Sequence, residues 1–462
     1  MHDSTSSPDY TTLIGTLRTS FGAGRSRPIS WRIQQLSAID HLVGQHEREI
    51  TDALHADVGK PFLESLGAEL TFLRSEAKYA IRRLRLWTRK RKVNSPVALQ
   101  PAKSYIQPEP LGLVLIIGPW NYPFQLILSP LLGAIAAGNC AIVKPSELAP
   151  ATSSLLAQLI GQYLDTSCIR VVEGGIAETT QLLQQRFDHI FYTGNGTVGR
   201  IILRAAAENL TPVTLELGGK SPCIIDASAD LDVTARRITW GKFFNAGQTC
   251  VAPDYLLVHS SVHDALVARI KATIQQFYGA DPKESPDYAR IVNLRHHRRL
   301  CALLGSGDVA VGGEADEENL YLAPTLLTHV PADSAVMAEE IFGPILPVLS
   351  ISSIDEAIHF VKAREKPLAL YVFSKDEAVQ RRVIHSTSSG GVAVNHVWLH
   401  LAVPGLPFGG VGQSGMGAYH GRWTFETFSH RKAVLVKSTK VDPTLFYPPY
   451  TELKARWIRR LL

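Results

Sequence analysis

Hydrophobic and polar positions along this chain follow two different patterns, which together predict an α/β protein. Between residues 30 and 91, apolar side chains recur at helical spacing among many charged ones, which predicts helices. From residue 113 onward, short uncharged runs rich in β-branched residues are separated by helical stretches. Apolar strands between helices are typical of a parallel sheet that is covered on both faces.

The first alternating block predicts one such sheet. Its expected strands are Leu113–Ile117, Ala141–Val143, Ile169–Val172 and His189–Tyr192. Its expected helices are Gln125–Ala137, Thr152–Tyr163 and Thr197–Glu208. Ligands of such sheets bind at the carboxyl ends of the strands, so the loops that follow these strands are candidate sites.

A second alternating block, from about residue 231 to residue 373, predicts a second α/β domain. Its expected strands are Tyr255–Val258, Leu346–Leu349 and Leu370–Phe373. Outside the two blocks, residues 97–107 are bounded by prolines and predict a hairpin, and Ala433–Lys437 predicts a late strand.

Composition narrows the class of protein. A chain of 462 residues is too long for one simple core, so two or three domains are expected. A net charge of +5 is small for this length and argues against a nucleic-acid partner. Five cysteines without paired spacings indicate free thiols in a reducing compartment, which places the protein in the cytoplasm. The chain has no CxxC, HExxH or Cys/His cluster, so no metal site is expected.

Three segments bear on membranes. Residues 1–10 are polar and lack the basic and apolar regions of a secretory signal. Residues 111–143 carry no charge, but three prolines divide them, so we expect a buried strand, a loop, a buried helix and a buried strand. Residues 454–462 are basic and amphipathic; we expect a solvated terminal helix, with weak contact to a membrane surface as the alternative.

Cys250 is the best candidate for a nucleophile. It lies in Phe243–Pro253, where a glycine and small polar residues precede it, as suits an approachable thiolate. The alternative is a buried small hydrophobe, which is the usual state of a free cysteine. Apolar or helical neighbours surround the other four: Cys140, Cys168, Cys223 and Cys301.

Gly194–Gly199 matches GxGxxG after an expected strand and before an expected helix, which favours a pyrophosphate at the helix N-terminus over a plain turn. Glu216 follows about twenty positions later, at the usual distance for a ribose ligand. Lys144 and Glu147 form a competing ribose site at another strand end. Glu216 stands between two leucines and could instead be a general base, or a salt-bridged strand residue.

Two further stretches carry candidate chemistry. Asn121 follows Trp120 just past a strand end, where its amide could donate to an oxyanion or simply form a turn. Glu339 and Glu340 precede an aromatic residue and a Gly-Pro break. Adjacent residues point in different directions, so one of these two carboxylates is expected to face a site.

Together and in this order, these motifs resemble the aldehyde dehydrogenase superfamily, and most closely its class 3 and coniferyl aldehyde dehydrogenase-like branch. The resemblance covers about residues 31–437. The most specific stretches are Gly118–Pro123, Leu215–Lys220, Gly247–Cys250 and Glu340–Pro344. Phe408–Gly421 and Tyr447–Tyr450 look like the C-terminal part of that branch.

The resemblance implies an α/β fold with two Rossmann-like α/β domains and a small β oligomerisation element, assembled as a homodimer. The expected division is a dinucleotide-binding domain at 1–85 and 108–217, a catalytic domain at 218–408, an oligomerisation element with the C-terminal segment at 86–107 and 409–445, and a tail at 446–462.

The resemblance also implies roles for residues. Cys250 would attack an aldehyde, the Asn121 amide and the Cys250 backbone N–H would stabilise the oxyanion, and Glu216 would activate the water that hydrolyses a thioester. The cofactor would be NAD, with some use of NADP. The residues that would hold it are Lys144 and Glu147 at the adenosine ribose, Gly194 and Gly199 near the pyrophosphate, Glu340 at the nicotinamide ribose, Phe342 beside the ring, and Trp120 and Gly218 nearby.

The resemblance thus predicts an NAD(P)-dependent oxidation of an aldehyde to a carboxylic acid. A catalytically silent structural or binding protein of the same fold and a CoA-acylating aldehyde dehydrogenase are the alternatives. The branch suggests medium- or long-chain aliphatic, or aromatic, aldehydes, and Val397–Leu401 is a candidate lining of the entrance. Glu147 should repel a 2′-phosphate, so NAD is expected to be preferred.

Overall fold

The computed structural model describes residues 10–461 of the 462. Residues 1–9, which belong to the polar segment expected to lack a signal, and Leu462 lie outside the described residues. The helices are α1 (Tyr10–Gly22), α2 (Ile29–Gln45), α3 (Glu47–Val58), α4 (Phe62–Ser65), α5 (Phe72–Trp87), α6 (Gln125–Ala137), α7 (Pro150–Tyr163), α8 (Ile176–Leu183), α9 (Gly196–Ala207), α10 (Leu231–Phe243), α11 (His263–Tyr278), α12 (Leu294–Cys301), α13 (Ala335–Ala338), α14 (Ile354–Lys362), α15 (Glu377–Ser386), α16 (Arg422–Thr427) and α17 (Glu452–Leu461).

A π-helical segment, Leu66–Thr71, joins α4 to α5. The 3₁₀ turns are Val97–Leu99, Phe244–Gly247, Ser260–Val262, Leu304–Ser306, Leu399–Ala402, Gly412–Ser414 and Thr444–Phe446. The strands are β1 (Arg91–Val93), β2 (Ala102–Pro110), β3 (Leu113–Ile117), β4 (Cys140–Lys144), β5 (Ile169–Val171), β6 (His189–Thr193), β7 (Val213–Glu216), β8 (Pro222–Ile225), β9 (Tyr255–His259), β10 (Asp308–Val311), β11 (Ala315–Asp316), β12 (Tyr321–Leu322), β13 (Thr325–Thr328), β14 (Ile345–Ile351), β15 (Ala369–Phe373), β16 (Gly391–Val394), β17 (Gly415–Met416) and β18 (Ser429–Lys437).

Two large sheets organise the chain. The first has the order β17-β7-β6-β3-β4-β5 and is parallel except for β17. The second has the order β10-β13-β14-β9-β8-β15-β16 and is parallel except for β10. Four strands of the second sheet were not expected from the sequence: β8, β10, β13 and β16. The strands β1, β2 and β18 form a separate antiparallel sheet, and β11 pairs with β12.

The uncharged stretch of residues 111–143 forms part of the core of the first sheet. Strands β3 and β4 are buried at every position, and so is α6 between them. The expectation of a buried strand, loop, helix and strand is therefore confirmed. Of the helices in residues 10–461, none combines the length and the apolar character that crossing a bilayer requires.

The hairpin expected at residues 97–107 is present, but its two strands lie at other residues, Arg91–Val93 and Ala102–Pro110. Its first strand is β1, which lies before the expected hairpin, and residues 97–99 form a 3₁₀ turn between the two strands. Val93 pairs with Ser104 across the ladder. The long β2 forms the middle of this small sheet, since β18 pairs along its other edge from Pro110 to Ala102.

The two large sheets adjoin where the loops that carry the candidate residues begin. In the first sheet, the carboxyl ends of β3, β4, β6 and β7 lie side by side, since Ile117 pairs with Lys144 and Thr193 pairs with Glu216. Only residues 217–221 separate the carboxyl end of β7 from the amino end of β8 in the second sheet. The carboxyl edge of the first sheet therefore adjoins the amino edge of the second, and loops from both sheets meet there.

Candidate active site

Cys250 lies on a turn that the chain makes with unusual backbone angles. Asn245 and Ala246 have φ of 53° and 50°, and Gly247 has φ of 72°. Left-handed angles cost free energy for residues with a Cβ, so surrounding contacts must hold this turn. A Cβ on Gly247 would lie 2.2 Å from the carbonyl oxygen of Gly343, which leaves room only for glycine. The Cys250 side chain is half-buried, so it is not a fully buried hydrophobe.

Buried polar contacts fix the turn on both sides of the thiol. The Gln248 side chain donates to the carbonyl of Arg290 at 2.9 Å and accepts from the backbone N–H of Val292 at 3.0 Å. On the far side, the Tyr371 hydroxyl donates to the carbonyl of Val251 at 2.5 Å. The thiol therefore projects from a turn whose neighbouring residues are hydrogen-bonded in place.

Asn121 reaches this turn from the loop that follows β3. Its side-chain Nδ2 donates to the carbonyl of Gln248 at 3.0 Å, two residues before the thiol. Asn121 is 3% exposed. Its backbone carbonyl accepts from Lys60 Nζ at 2.8 Å and from Asn245 Nδ2 at 3.0 Å. A side-chain amide carries two N–H donors, so one remains for an oxyanion that develops beside Cys250.

Glu216 ends β7 and is 3% exposed. Neither of its carboxylate oxygens has a hydrogen-bond partner among the described residues, so the alternative of a salt-bridged strand residue is wrong. Burial raises the pKa of Glu216 well above its usual value. The chain backbone at Gly409 lies close to it, since a Cβ there would be 3.0 Å from Oε1. A buried carboxyl without a partner is available to exchange a proton with a reactant.

Glu340 lies against the glycines that follow β7. A Cβ on Gly218 would be 2.1 Å from Glu340 Oε2. The segment is anchored by Asp254, whose Oδ1 accepts from the N–H of Ile341 at 2.9 Å. Lys220 forms an ion pair with Asp254 and donates to two backbone carbonyls of the chain before Glu340. Burial raises the pKa of Glu340 to about 8, and the nearby Asp254 adds to the shift.

These carboxylates influence the thiol. Burial raises the pKa of Cys250, and Glu340 and Glu216 raise it further when they are ionised. The thiol is therefore protonated at neutral pH in this arrangement. Nucleophilic attack requires the thiolate, so a neighbouring base has to accept the proton when substrate binds.

Three aromatic rings lie next to the segments that carry Asn121 and Glu340. Trp120 and Phe342 have ring centroids 5.4 Å apart at an interplanar angle of 83°. The ring centroid of His296 lies 5.5 Å from that of Trp120. Phe342 has φ of 48°, a left-handed angle that its Gly-Pro neighbours and the anchored segment before it must hold.

The remaining cofactor candidates lie at the carboxyl ends of β4 and β6. Lys144 is 2% exposed, donates to the Pro145 carbonyl at 2.7 Å and lies 3.4 Å from Glu147 Oε2. Burial lowers the pKa of Lys144, and Glu147 partly offsets that effect. The exposed Glu147 and the buried Lys144 thus offer acceptors and a donor of the kind that ribose hydroxyls need.

The glycine-rich turn joins β6 to α9, as the sequence predicted. A Cβ on Gly194 would lie 2.1 Å from the Tyr192 hydroxyl, and one on Gly199 would lie 3.3 Å from Leu217. Asn195 caps α9, since its side chain accepts from the N–H of Val198 at 3.0 Å. Glycine is thus required for close approach at this helix N-terminus, which suits an anionic pyrophosphate.

The structure brings all the candidate residues to one region, where the two sheets adjoin. Sequence reasoning missed the buried residues behind them, namely Lys60, Glu64, Glu69, Lys220 and Asp254. Of these, Lys220 alone had a usable signal, because it ends the Leu215–Lys220 motif. No group of three or more His, Cys, Asp or Glu side chains that could hold a metal occurs within residues 10–461.

Comparison with known proteins agrees with this geometry. The sequence model of the aldehyde dehydrogenase family matches residues 3–434. Aldehyde dehydrogenase family 3 member A2 of Mus musculus is 54% identical over 96% of this chain and 93% of its own length. The dimeric NADP-preferring aldehyde dehydrogenase of Canis lupus familiaris is 49% identical over 95% of this chain and 97% of its own.

A solved structure of a similar protein has the same fold. The substrate-bound state of Staphylococcus aureus AldH superimposes with a TM-score of 0.96 at 48% identity, and covers 98% of this chain and 99% of that one. The α/β fold and the NAD(P)-dependent oxidation of aldehydes that the motifs predicted are therefore confirmed. The chain belongs to the aldehyde dehydrogenase family, in its class 3 branch.

Proposed function

We propose that Cys250, Asn121 and Glu216 carry out the oxidation of an aldehyde to its carboxylic acid in this enzyme. The observation that carries the proposal is the side-chain amide of Asn121, which donates to the carbonyl of Gln248 beside a half-buried thiol. The buried Glu216 carboxyl, which has no hydrogen-bond partner among the described residues, lies in the same region. When it is ionised, it raises the pKa of the Cys250 thiol.

In the first step the Cys250 thiol gives its proton to a water molecule, and the sulfur forms a bond with the aldehyde carbon. The π electrons of the carbonyl move to its oxygen, and the Asn121 amide and the backbone N–H of Cys250 donate to that oxyanion. A nicotinamide, when bound, supplies the oxidising chemistry by accepting a hydride. Cys250 then carries a thioester. Glu216 accepts a proton from a water molecule that attacks the thioester carbon, and the sulfur leaves as a thiolate.

The groups at the strand ends fit a dinucleotide. Lys144 and Glu147 would hold the adenosine ribose, Gly194 and Gly199 would shape the turn at the pyrophosphate, and Glu340 would hold the nicotinamide ribose. Trp120, Phe342 and Gly218 line the same end of the site.

NAD is the proposed preference. A ribose 2′-phosphate would lie close to the exposed carboxylate of Glu147, and like charges repel. Lys144 is the only cation within hydrogen-bonding distance of Glu147 in the described residues, and its Nζ already donates to the Pro145 carbonyl and to Glu147. The relative from Canis lupus familiaris is named NADP-preferring, so the proposed preference for NAD separates the two enzymes.

The proposed substrates are medium- or long-chain aliphatic, or aromatic, aldehydes. Phe244, which begins the turn before the thiol, packs edge-on against Trp398, with centroids 4.9 Å apart. Trp240 lies 5.1 Å from the same indole ring. Leu399, next in the chain, is 50% exposed. An aromatic wall that adjoins the thiol turn favours apolar substrate groups through burial of their surface.

The proposed assembly is a homodimer in the cytoplasm. The antiparallel sheet of β1, β2 and β18 exposes Leu435 and Val436, which are 54% and 50% exposed. Apolar side chains on an exposed strand favour contact with a second copy. All five cysteines are free thiols, which suits a reducing compartment.

The experiment that tests the proposal compares the wild type with Cys250→Ala across a panel of aldehydes of increasing chain length. With NAD present, the wild type is expected to raise absorbance at 340 nm and to release acid without coenzyme A. Cys250→Ala is expected to do neither. Wild-type activity that requires coenzyme A would instead support an acylating enzyme, and a flat signal across the panel would support a silent protein.

A further inference from the structure

Lys60 and Glu69 form an ion pair in which both side chains are completely buried. The chemistry described above does not use either residue. A buried ion pair is weak evidence for stability, because the cost of removing two charges from water offsets most of their attraction. What the pair contacts is therefore more informative than the pair itself.

Both partners form hydrogen bonds with the loop that carries Asn121. Lys60 Nζ donates to the carbonyl of Asn121 at 2.8 Å. On the other side of the pair, Glu69 Oε2 accepts from the N–H groups of Phe124 and Gln125, at 3.0 and 3.1 Å. The ion pair thus holds the second half of the loop between β3 and α6, from Asn121 to Gln125. The ammonium group also lies 4.1 Å from the centroid of the Tyr122 ring, within the same turn.

The same segment holds the thiol turn. Glu64 Oε2 accepts from the N–H of Asn245 at 2.8 Å, at the first of the left-handed residues. The Asn245 side chain then donates to the carbonyls of Asn121 and Gln248, at 3.0 and 3.2 Å. Residues 60–69 therefore contact both the amide loop and the thiol turn, and the two are joined to each other through Asn245.

The π-helical segment explains how one stretch of chain can do this. In an α-helix, residues five apart differ by about 140° around the axis, so Glu64 and Glu69 would face different ways. A π turn closes hydrogen bonds between residues five apart and takes one more residue per turn. The π segment Leu66–Thr71 begins between the two glutamates. Both of their carboxyl groups can consequently turn inward, where Glu64 is 9% exposed and Glu69 is not exposed at all.

We propose that Lys60 and Glu69 are positioning residues, which fix the Asn121 amide at the place where the oxyanion of the thiol adduct develops. The proposal rests on the role proposed above for Asn121. Neither residue touches the reacting atoms, and both act through the loop they hold. Misplacing a reacting group by about 1 Å can cost about 100-fold in rate, so a small relaxation of this loop is enough to be measured.

The test replaces both charges together, as K60M/E69Q. Removing one partner alone would leave a buried, unpaired charge, which strongly destabilises the fold for reasons unrelated to positioning. The double variant keeps a side chain of similar length at residue 60 and an amide oxygen that can still accept from Phe124 and Gln125. It loses the hydrogen bond from Lys60 to the Asn121 carbonyl. The matched control is R18M/D188N, a half-buried pair at the opposite, amino-terminal end of β6 whose carboxylate also accepts a backbone N–H.

Two rates are measured in each variant. One is the pre-steady-state burst of absorbance at 340 nm with aldehyde and NAD. The other is hydrolysis of p-nitrophenyl acetate without NAD, where the thiol forms a similar oxyanion and no hydride moves. We expect K60M/E69Q to slow both rates about 10- to 100-fold, with an unchanged Kd for NAD and an unchanged far-ultraviolet spectrum. The control variant should stay within about twofold of the wild type in both rates.

Combination with Asn121→Ala decides whether the pair acts through the amide. Asn121→Ala alone should cost about 100-fold, and adding K60M/E69Q to it should cost no more than about twofold further. Losses that multiply in the combined variant would overturn the proposal, as would a K60M/E69Q enzyme as fast as the wild type beside a slow Asn121→Ala. A fast Asn121→Ala enzyme would refute the role of Asn121 itself, and the positioning proposal with it.

Discussion

Glu216→Gln tests the buried carboxyl through two properties that should change in opposite directions. The pKa of Glu216 in the folded protein is raised well above 4.5 by burial, so the folded protein keeps a proton that the unfolded chain releases. Between pH 4.5 and the folded pKa, the free energy of unfolding of the wild type therefore falls as pH rises, by at most about 1.4 kcal/mol per pH unit. An amide does not titrate, so the variant escapes this loss.

The expected magnitude follows directly. For each pH unit within that range, Glu216→Gln should gain up to about 1.4 kcal/mol relative to the wild type. For a chain of this length the entropy of unfolding is large, so the difference between the two Tm values should change by about 1.5 °C per pH unit. The same substitution removes the general base, and kcat for aldehyde oxidation should fall by about 100- to 10,000-fold. Differential scanning calorimetry at three pH values and steady-state assays at 340 nm measure the two effects.

The control is Glu365→Gln, which makes the same substitution on the exposed surface. Its Tm should follow that of the wild type at every pH, and its kcat should be unchanged. A difference between Glu216→Gln and the wild type that stays constant with pH would mean that burial does not raise the pKa of Glu216 in the folded protein. That result would refute the raised pKa, which makes the ionised form of Glu216 a stronger base than an exposed carboxylate.

Gly218→Ala should raise KM for NAD or lower kcat, because a Cβ there would lie 2.1 Å from Glu340 Oε2. The control is Gly161→Ala, which adds a Cβ in open space on a helix. Wild-type kinetics for Gly218→Ala would show that Glu340 is free to move. Glu147→Ser should raise the ratio of kcat/KM with NADP to that with NAD about tenfold, and an unchanged ratio would exclude Glu147 from cofactor choice. Leu435→Glu should weaken a homodimer in sedimentation velocity, whereas an unchanged sedimentation coefficient would place the interface elsewhere.

The sequence predicted those parts of the fold and site whose signal is local. β3 and β4 are uncharged runs that end in breakers, so they could be recognised without their neighbours. Their carboxyl ends lie at one edge of a parallel sheet, which is why residues such as Asn121 and Lys144 could be expected near one another. β8 was missed because four residues beside a glycine pair carry too little periodicity, although every one of them is buried in the sheet.

Other features depend on partners far away in the sequence. β1 is a basic run, and it becomes a strand only because it pairs with β2. Lys60 and Glu69 stand in a region with many charges at helical spacing, which predicts solvated side chains, and their burial depends on the loop after β3. The raised pKa of Glu216 likewise comes from the residues that surround it in space. Its two flanking leucines hinted at apolar surroundings but could not exclude a salt bridge.

The most direct test of the central claim is to trap the covalent intermediate. Glu216→Gln should form the thioester but hydrolyse it slowly, so aldehyde and NAD followed by an acid quench should leave an acyl group on the enzyme. Peptide mass spectrometry should then place the added mass on Cys250, at close to one acyl group per chain and only when NAD is present. Acyl mass on any other cysteine, or NADH formed by the wild type with no trapped acyl group in the variant, would contradict the account.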